Sequence, residues 1–183
     1  VIARQLVLGR DLILRSLAFQ VAFLSAAGVA ARFGTNALAA HQIMLQLWNF
    51  LTLVLDSLAI AAQALIGAAL GGRTVALARR TGLKIIWYST IFAMGLATVF
   101  AVFSGWIPRL FTEDAGVLET IMTPWWLLII MIVLGGVLFA IDGVLLGAGD
   151  VAFLRTITIG AVLLGFLPGV WIAYLVDGGL AGI

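Results

Sequence analysis

The chain has 183 residues, 64% of them hydrophobic and 10% charged, with ten basic and eight acidic side chains for a net charge of +2. Mean hydropathy is +1.23, and no water-soluble domain of this length has an interior that could hide so much apolar surface. The absence of cysteine excludes disulfides, thiolate metal sites and a cysteine nucleophile, and basic residues scattered between apolar segments exclude a nucleic-acid patch despite a pI near 9.7.

Val1 to Arg15 is basic and semi-amphipathic, unlike a signal peptide. Five apolar stretches follow, each near or above the roughly 20 residues that cross a bilayer. The first spans about 12–31 and stops at Arg32, Phe33 and Gly34. The second, about 36–70, ends on Gly71 and Gly72, and its length requires tilt, a kink or extension beyond the hydrocarbon. The third covers about 83–103, closed by Gly105, Trp106 and Pro108. The fourth, about 124–146, opens on Pro124, which suits a first helical turn, and stops at Gly147, Ala148 and Gly149. The fifth, about 153–176, carries Pro168 between Gly165 and Gly169, where a bend is expected. The chain ends near Gly179 to Ile183, where a further apolar segment could begin, so a piece of a longer protein is expected.

Charge sets the expected orientation. With the N-terminal side cytoplasmic, Arg4, Arg10, Arg15, Arg73, Arg79, Arg80, Lys84 and Arg155 lie inside, and only Arg32 and Arg109 outside. Glu113, Asp114, Glu119 and Asp177 then fall outside. Trp106, Trp125, Trp126 and Trp171 lie toward the outer interface, either as an aromatic belt or as ordinary packing.

Asp56 is the one charged residue between Arg32 and Arg73. Gln42, Gln46, Asn49, Leu53, Asp56, Ile60 and Gln63 follow one another at steps of four and three, which places all seven on one helix face. A carboxyl within a hydrocarbon-length helix is costly and usually faces a protein interior or a watery cavity. Counted back from Leu70 at 1.5 Å per residue, Asp56 lies about 20 Å from the helix end, where it can exchange a proton or attract a cation. The alternative is a carboxyl hydrogen-bonded to a neighbouring helix. Asp142 is closer to the end of its own helix, within reach of solvent or a loop arginine.

Other chemistries find little support. Gly67, Gly72, Arg73 and Thr74 approach a phosphate-binding loop, but that loop follows a strand and this stretch ends a membrane helix. A single histidine, His41, makes no paired-histidine zinc site, so no metal and no cofactor are expected; it reads as a packed or interfacial residue. Gly67 with Gly71, Gly143 with Gly147, and Gly165 with Gly169 are spaced for close helix approach. Gly67, Leu70, Gly71, Val75, Ala76 and Arg79 recur 76 positions later as Gly143, Leu146, Gly147, Val151, Ala152 and Arg155. Either a duplication or a shared need for a glycine stop and a basic turn accounts for this, and the second is the plainer account.

The runs from Ala39 to Ile43, Ala61 to Gly71 and Leu138 to Asp150, with Leu55 to Ala64, resemble the multidrug and toxic compound extrusion (MATE) transporters, most closely their DinF-like branch. The resemblance covers nearly the whole chain. It implies an all-α integral membrane fold, with five helices corresponding to helices 7–11 of a twelve-helix, two-lobe protein. Residues 1–15 would end the cytoplasmic connector and 16–183 would form a partial C-terminal lobe, lacking its last helix. It further implies a multi-pass inner-membrane exporter, not an enzyme, that exchanges protons or sodium ions for drugs or other toxic organic compounds by alternating access. The partners implied are those small molecules, the lipid bilayer and the N-terminal lobe. On this basis Asp56, Gln42, Gln46, Asn49, Gln63 and Asp142 are cavity, substrate or ion-binding candidates, and Pro168, Gly165 and Gly169 are hinge candidates. In DinF-like proteins the coupling carboxylate lies in the N-terminal lobe, outside this chain. A related lipid-linked oligosaccharide flippase would want basic residues in the stripe, which has none. A membrane-embedded enzyme would want a second reactive group near Asp56, and a non-transporting scaffold would tolerate its loss.

Overall fold

Within a bilayer every backbone N–H and C=O must find its partner inside the protein, which leaves this apolar chain the helix as its spanning structure. The computed structural model describes residues 2–31 and 34–175. Arg32 and Asp177, read above as outer-side charges, and Val176, the end of the fifth expected span, lie outside the described residues. Among the described residues there is no strand, and five segments are long and apolar enough to cross a membrane: Gly9–Val29, Thr35–Gly71, Val75–Val102, Ala115–Ala148 and Val151–Ile172. The helices are α1 (Ile2–Ala30), α2 (Thr35–Gly71), α3 (Val75–Val102), α4 (Ala115–Ala148), α5 (Val151–Gly160) and α6 (Leu167–Leu175), with a 3₁₀ turn at Pro108–Leu110 and a π-helical stretch at Ala161–Phe166. The chain divides into two compact units, one of Val1–Gln42 with Val151–Ile183, the other Ile43–Asp150.

In the second unit α4 is the shared partner of α2 and α3, and glycines decide how near they come. A Cβ placed on Gly143 would collide with the carbonyl oxygen of Ala59, and one on Gly147 would lie 2.6 Å from the carbonyl oxygen of Gln63. One on Gly136 would collide with the Ala93 side chain and lie 2.9 Å from the Ser89 carbonyl oxygen. The backbones of α2 and α3 thus rest directly on α4, along two faces of one helix. Gly67 joins this contact at 3.6 Å from the Gly147 carbonyl oxygen. Gly165 and Gly169 do not behave as their spacing suggests, since a Cβ on either would meet nothing within 4 Å. The same holds for Gly71.

Two helix boundaries differ from the apolar spans. The third helix begins at Val75 rather than near Leu83, so its first two turns are basic. The fourth begins at Ala115 and runs through Pro124, because Asp114 caps it: the carboxylate accepts from the Gly116 N–H at 2.8 Å and the Val117 N–H at 3.2 Å. Near the other end of α3, Trp125 is fully buried, stacks on Phe100 with ring centroids 5.9 Å apart, and donates its indole N–H to the Phe100 carbonyl at 3.1 Å. That bond serves a carbonyl in the last turn of α3, where helical partners run out. Trp125 is therefore a packing residue, whereas Trp106, Trp126 and Trp171 are exposed.

Helices α2 and α4 end in the same turn. The Arg73 N–H donates to Leu70 O at 2.9 Å and the Thr74 N–H to Ala69 O at 3.0 Å; Gly149 and Asp150 donate to Leu146 O and Leu145 O, both at 3.0 Å. These are paired Schellman closures in the 76-residue register. Their left-handed residues are Arg73, with φ 57°, and Gly149, with φ 80°. The helix stop read at Gly71 and Gly72 is thus completed by an arginine in a conformation that glycine adopts at lower cost.

In the first unit α1 and α5–α6 run side by side in the same direction. Asp11 meets Arg155 near one end, and Ala26 and Val29 pack on Val170 and Phe166 toward the other. Gly143→Ala is expected to destabilise the purified protein by about 3 kcal/mol or more, because the new methyl meets backbone that cannot yield. Gly95→Ala, where a Cβ meets nothing within 4 Å, is expected to be neutral or to stabilise by about 0.5–1 kcal/mol. Melting temperatures of the two variants in detergent check the contrast.

Candidate functional site

Helix α2 carries two distinct faces. Leu47, Leu51, Leu55, Ala59, Ala62, Ile66 and Ala69 are buried, at steps of four and three. They form the face that meets α4 where Ala59 lies on Gly143 and Leu55 reaches toward Gly135. Gln46, Asn49, Leu53, Asp56, Ile60 and Gln63 occupy the other flank and are all exposed, as is Gln42 at the edge of the first unit. The helix therefore spends its small and aliphatic residues on packing and keeps its carboxyl and amides clear of it. Thr52 and Ser57 return their hydroxyls to carbonyls of their own helix, Thr52 to Trp48 O at 2.5 Å and Ser57 to Val54 O at 2.6 Å. They satisfy themselves locally and leave the carboxyl and amide groups as the chemistry on offer.

The packing of α2 on α4 also sets the level of the two acids. Ala59 opposes Gly143 and Gln63 opposes Gly147, so the helices run parallel with a constant offset. In that register Asp142 lies opposite Leu58, and Asp56 is about 3 Å away along the axis at 1.5 Å per residue. Counting residues to each helix end had separated the acids, one deep and one near the surface. The separation disappears because α2 extends well past the end of α4. Asp142 is half-buried and Asp56 exposed, so one level of this helix pair bears two carboxyls in different surroundings. No cluster of three or more histidine, cysteine or acidic side chains suited to a metal occurs among the described residues. His41 is half-buried on α2, and its Nε2 has no hydrogen-bond partner among the described residues.

The hinge candidates occupy an irregular part of the first unit. Ala161–Phe166 is π-helical, and the Leu167 N–H bonds to Val162 O, five residues back. Pro168 follows directly. It has no N–H to offer, and its ring would crowd the carbonyl of Leu164 in a regular helix, so a widened turn just before it relieves both problems. Gly165 lies within the π stretch; Pro168 and Gly169 come just after it, and all three are exposed.

One site was not singled out from the sequence. Asp11 is only 2% exposed, and its Oδ1 accepts from Arg155 Nη1 at 2.6 Å and from Arg10 Nε and Nη2 at 3.1 and 3.0 Å. Arg155 is largely buried and Arg10 mostly exposed. The pair joins the first and last membrane segments of the chain. Its sequence signal is an acid just inside the first apolar span and a lone arginine just inside the fifth, since opposite charges within hydrocarbon-length helices seek each other.

The model of the MatE family matches residues 12–171. Protein DETOXIFICATION 44, chloroplastic, of Arabidopsis thaliana is 30% identical over 176 residues, covering 96% of this chain and 33% of that protein. Protein DETOXIFICATION 43 of the same plant is 27% identical over 177 residues, 90% of this chain and 34% of the relative. DNA damage-inducible protein F of Escherichia coli is 26% identical over 153 residues, 79% of this chain and 32% of the relative. The chain thus spans about a third of the length of these curated relatives. No solved structure matches it significantly.

Breaking a buried ion pair on one side leaves a charge without a partner, while removing both sides together costs less. Arg155→Leu or Asp11→Leu alone is expected to destabilise by about 3 kcal/mol, and the double variant by clearly less than the sum. Thermal unfolding of the four proteins in a double-mutant cycle checks this.

Proposed function

The chain belongs to the MatE family of membrane transporters, and from that membership we propose that it forms part of a secondary active exporter of toxic organic compounds, often cationic ones. Residues 1–15 end the connector between two six-helix lobes, and 16–183 form most of the C-terminal lobe, helices 7–11. The two lobes rock about a central cavity that opens first to the cytoplasm and then to the outside. A proton or sodium ion held at a carboxyl biases which opening is populated, and drug and ion exchange because each prefers a different state.

The observation that carries this reading is the flank of α2, where Gln46, Asn49, Asp56 and Gln63 are exposed while the opposite face is buried. A lipid-facing flank would have no use for a carboxyl and three amides; a water-filled cavity would. Asp56 attracts the cationic substrate or the coupling ion, the amides supply hydrogen bonds that are tolerant of substrate shape, and Leu53 and Ile60 supply apolar contact. Asp142, at the same level, contributes a second carboxyl. The π stretch with Gly165, Pro168 and Gly169 serves as the bending point of helix 11.

Asp56→Asn in the full-length protein is expected to lower dye export from energised vesicles by at least about five-fold, the range of a typical coupling free energy, or to shift its pH dependence. Export unchanged across pH at equal protein level would reject a role for Asp56 and favour a scaffold function. The cation distribution further assigns the N-terminal end to the cytoplasm. This chain has no cysteine, so single-cysteine labelling is clean within it. Arg79→Cys should be shielded from an impermeant maleimide applied outside intact cells, and Glu113→Cys should react; the opposite pattern would invert the topology.

A further inference from the structure

Four cations gather at one end of α3. Arg73, Arg79, Arg80 and Lys84 are all exposed, and among the described residues none of them is in an ion pair. Between Asp56 and Glu113 the sequence contains no acid. The antiparallel packing of α3 on α4, seen in the approach of Gly82 to Val144 and of Ala93 to Gly136, brings one exposed acid, Asp150, to the same end. The end remains strongly positive. One of its cations, Arg73, stands at the left-handed position that the matching turn gives to Gly149.

The length of α3 sets the level of these charges. Its 28 residues extend about 42 Å, about 12 Å more than a hydrocarbon core of about 30 Å. Lys84 to Val102 alone covers about 27 Å, so the surplus falls at the basic end and lifts its cations into the headgroup layer. The direction of the face is equally clear. Ala78, Gly82, Ser89, Ala93, Ala97 and Phe100 are the buried face of α3, whereas Arg80, Lys84, Trp87 and Ile91 follow at steps of four, three and four on the opposite side and are exposed. Trp87 and Tyr88, 63% and 66% exposed, come directly below the cations, at the depth where rings with one polar edge settle.

We propose that this outer face of α3 binds an anionic phospholipid, with the phosphate between Arg80 and Lys84, Arg73 and Arg79 adding to the local potential, and the acyl chains lying along Trp87 and Ile91. The site is a lipid contact on the periphery of the second unit and is independent of the drug path.

The test uses the full-length protein in detergent, titrated with dioleoylphosphatidylglycerol or dioleoylphosphatidylcholine and read by native mass spectrometry. Phosphatidylglycerol should bind more tightly than phosphatidylcholine, and Arg80→Gln with Lys84→Gln should erode that preference by roughly five-fold per cation removed. Arg80→Lys, which keeps the charge, should bind like wild type, and Arg109→Gln, at the opposite end, should change nothing. Equal binding of the two lipids, an undiminished preference in the double variant, or loss of binding in Arg80→Lys would overturn the proposal. Displacement of the lipid by millimolar inorganic phosphate would also overturn it, by showing a site for free anions instead.

Discussion

The contact of Gly143 and Gly147 with the α2 backbone at Ala59 and Gln63 is the constraint on which the second unit rests. Two apolar helices in lipid gain nothing from the hydrophobic effect by meeting, because lipid tails are as apolar as leucine; fit has to supply the attraction. Glycine allows α4 to bring its whole backbone surface against α2, and the pairing consumes only one flank of the partner. Had the contact been made by large side chains, α2 would stand farther off and more of its circumference would be engaged. Close approach on one side is what keeps the carboxyl and amides of the other side available.

The same contact ties packing to electrostatics. It holds α2 and α4 in a fixed register, and the register puts Asp56 and Asp142 at one level. Their surroundings differ, exposed for one and half-buried for the other, which is the usual way a pair of like groups comes to serve unlike roles. The first unit obeys a different rule. Its pairing is fastened by charge at Asp11 and Arg155 and by a small apolar cluster at Ala26, Val29 and Val170, with a π-helical stretch between the two fastenings.

What could be read in the sequence divides along physical lines. Apolar length and helical period are local, so the five membrane segments, the polar stripe and the Gly143–Gly147 pair were legible. Hydropathy fails at helix starts, where chemistry decides: Asp114 and its two N–H partners begin α4 well before Pro124, and a Thr-Glu-Asp sequence could have signalled it. Spacing also fails to say whether a neighbour is present, which is why Gly165 and Gly169 look like a packing pair and touch nothing within 4 Å. The Asp11–Arg155 bond joins the first helix to the fifth, and no window along the chain contains both residues. Trp125 is indistinguishable from Trp126 by type, and one is buried while the other is exposed because adjacent helix positions point about 100° apart.

The π-helical stretch at Ala161–Phe166 has a consequence for the history of the chain. A π turn holds one residue more than the α turn it replaces, so the segment amounts to a single-codon insertion that the fold absorbed locally instead of passing on. Every residue beyond it keeps the facing it would have had without the insertion. The surplus residue is thus a buffer for length change, and it lets the two halves of the last described membrane segment drift in sequence length without scrambling which side chains meet α1.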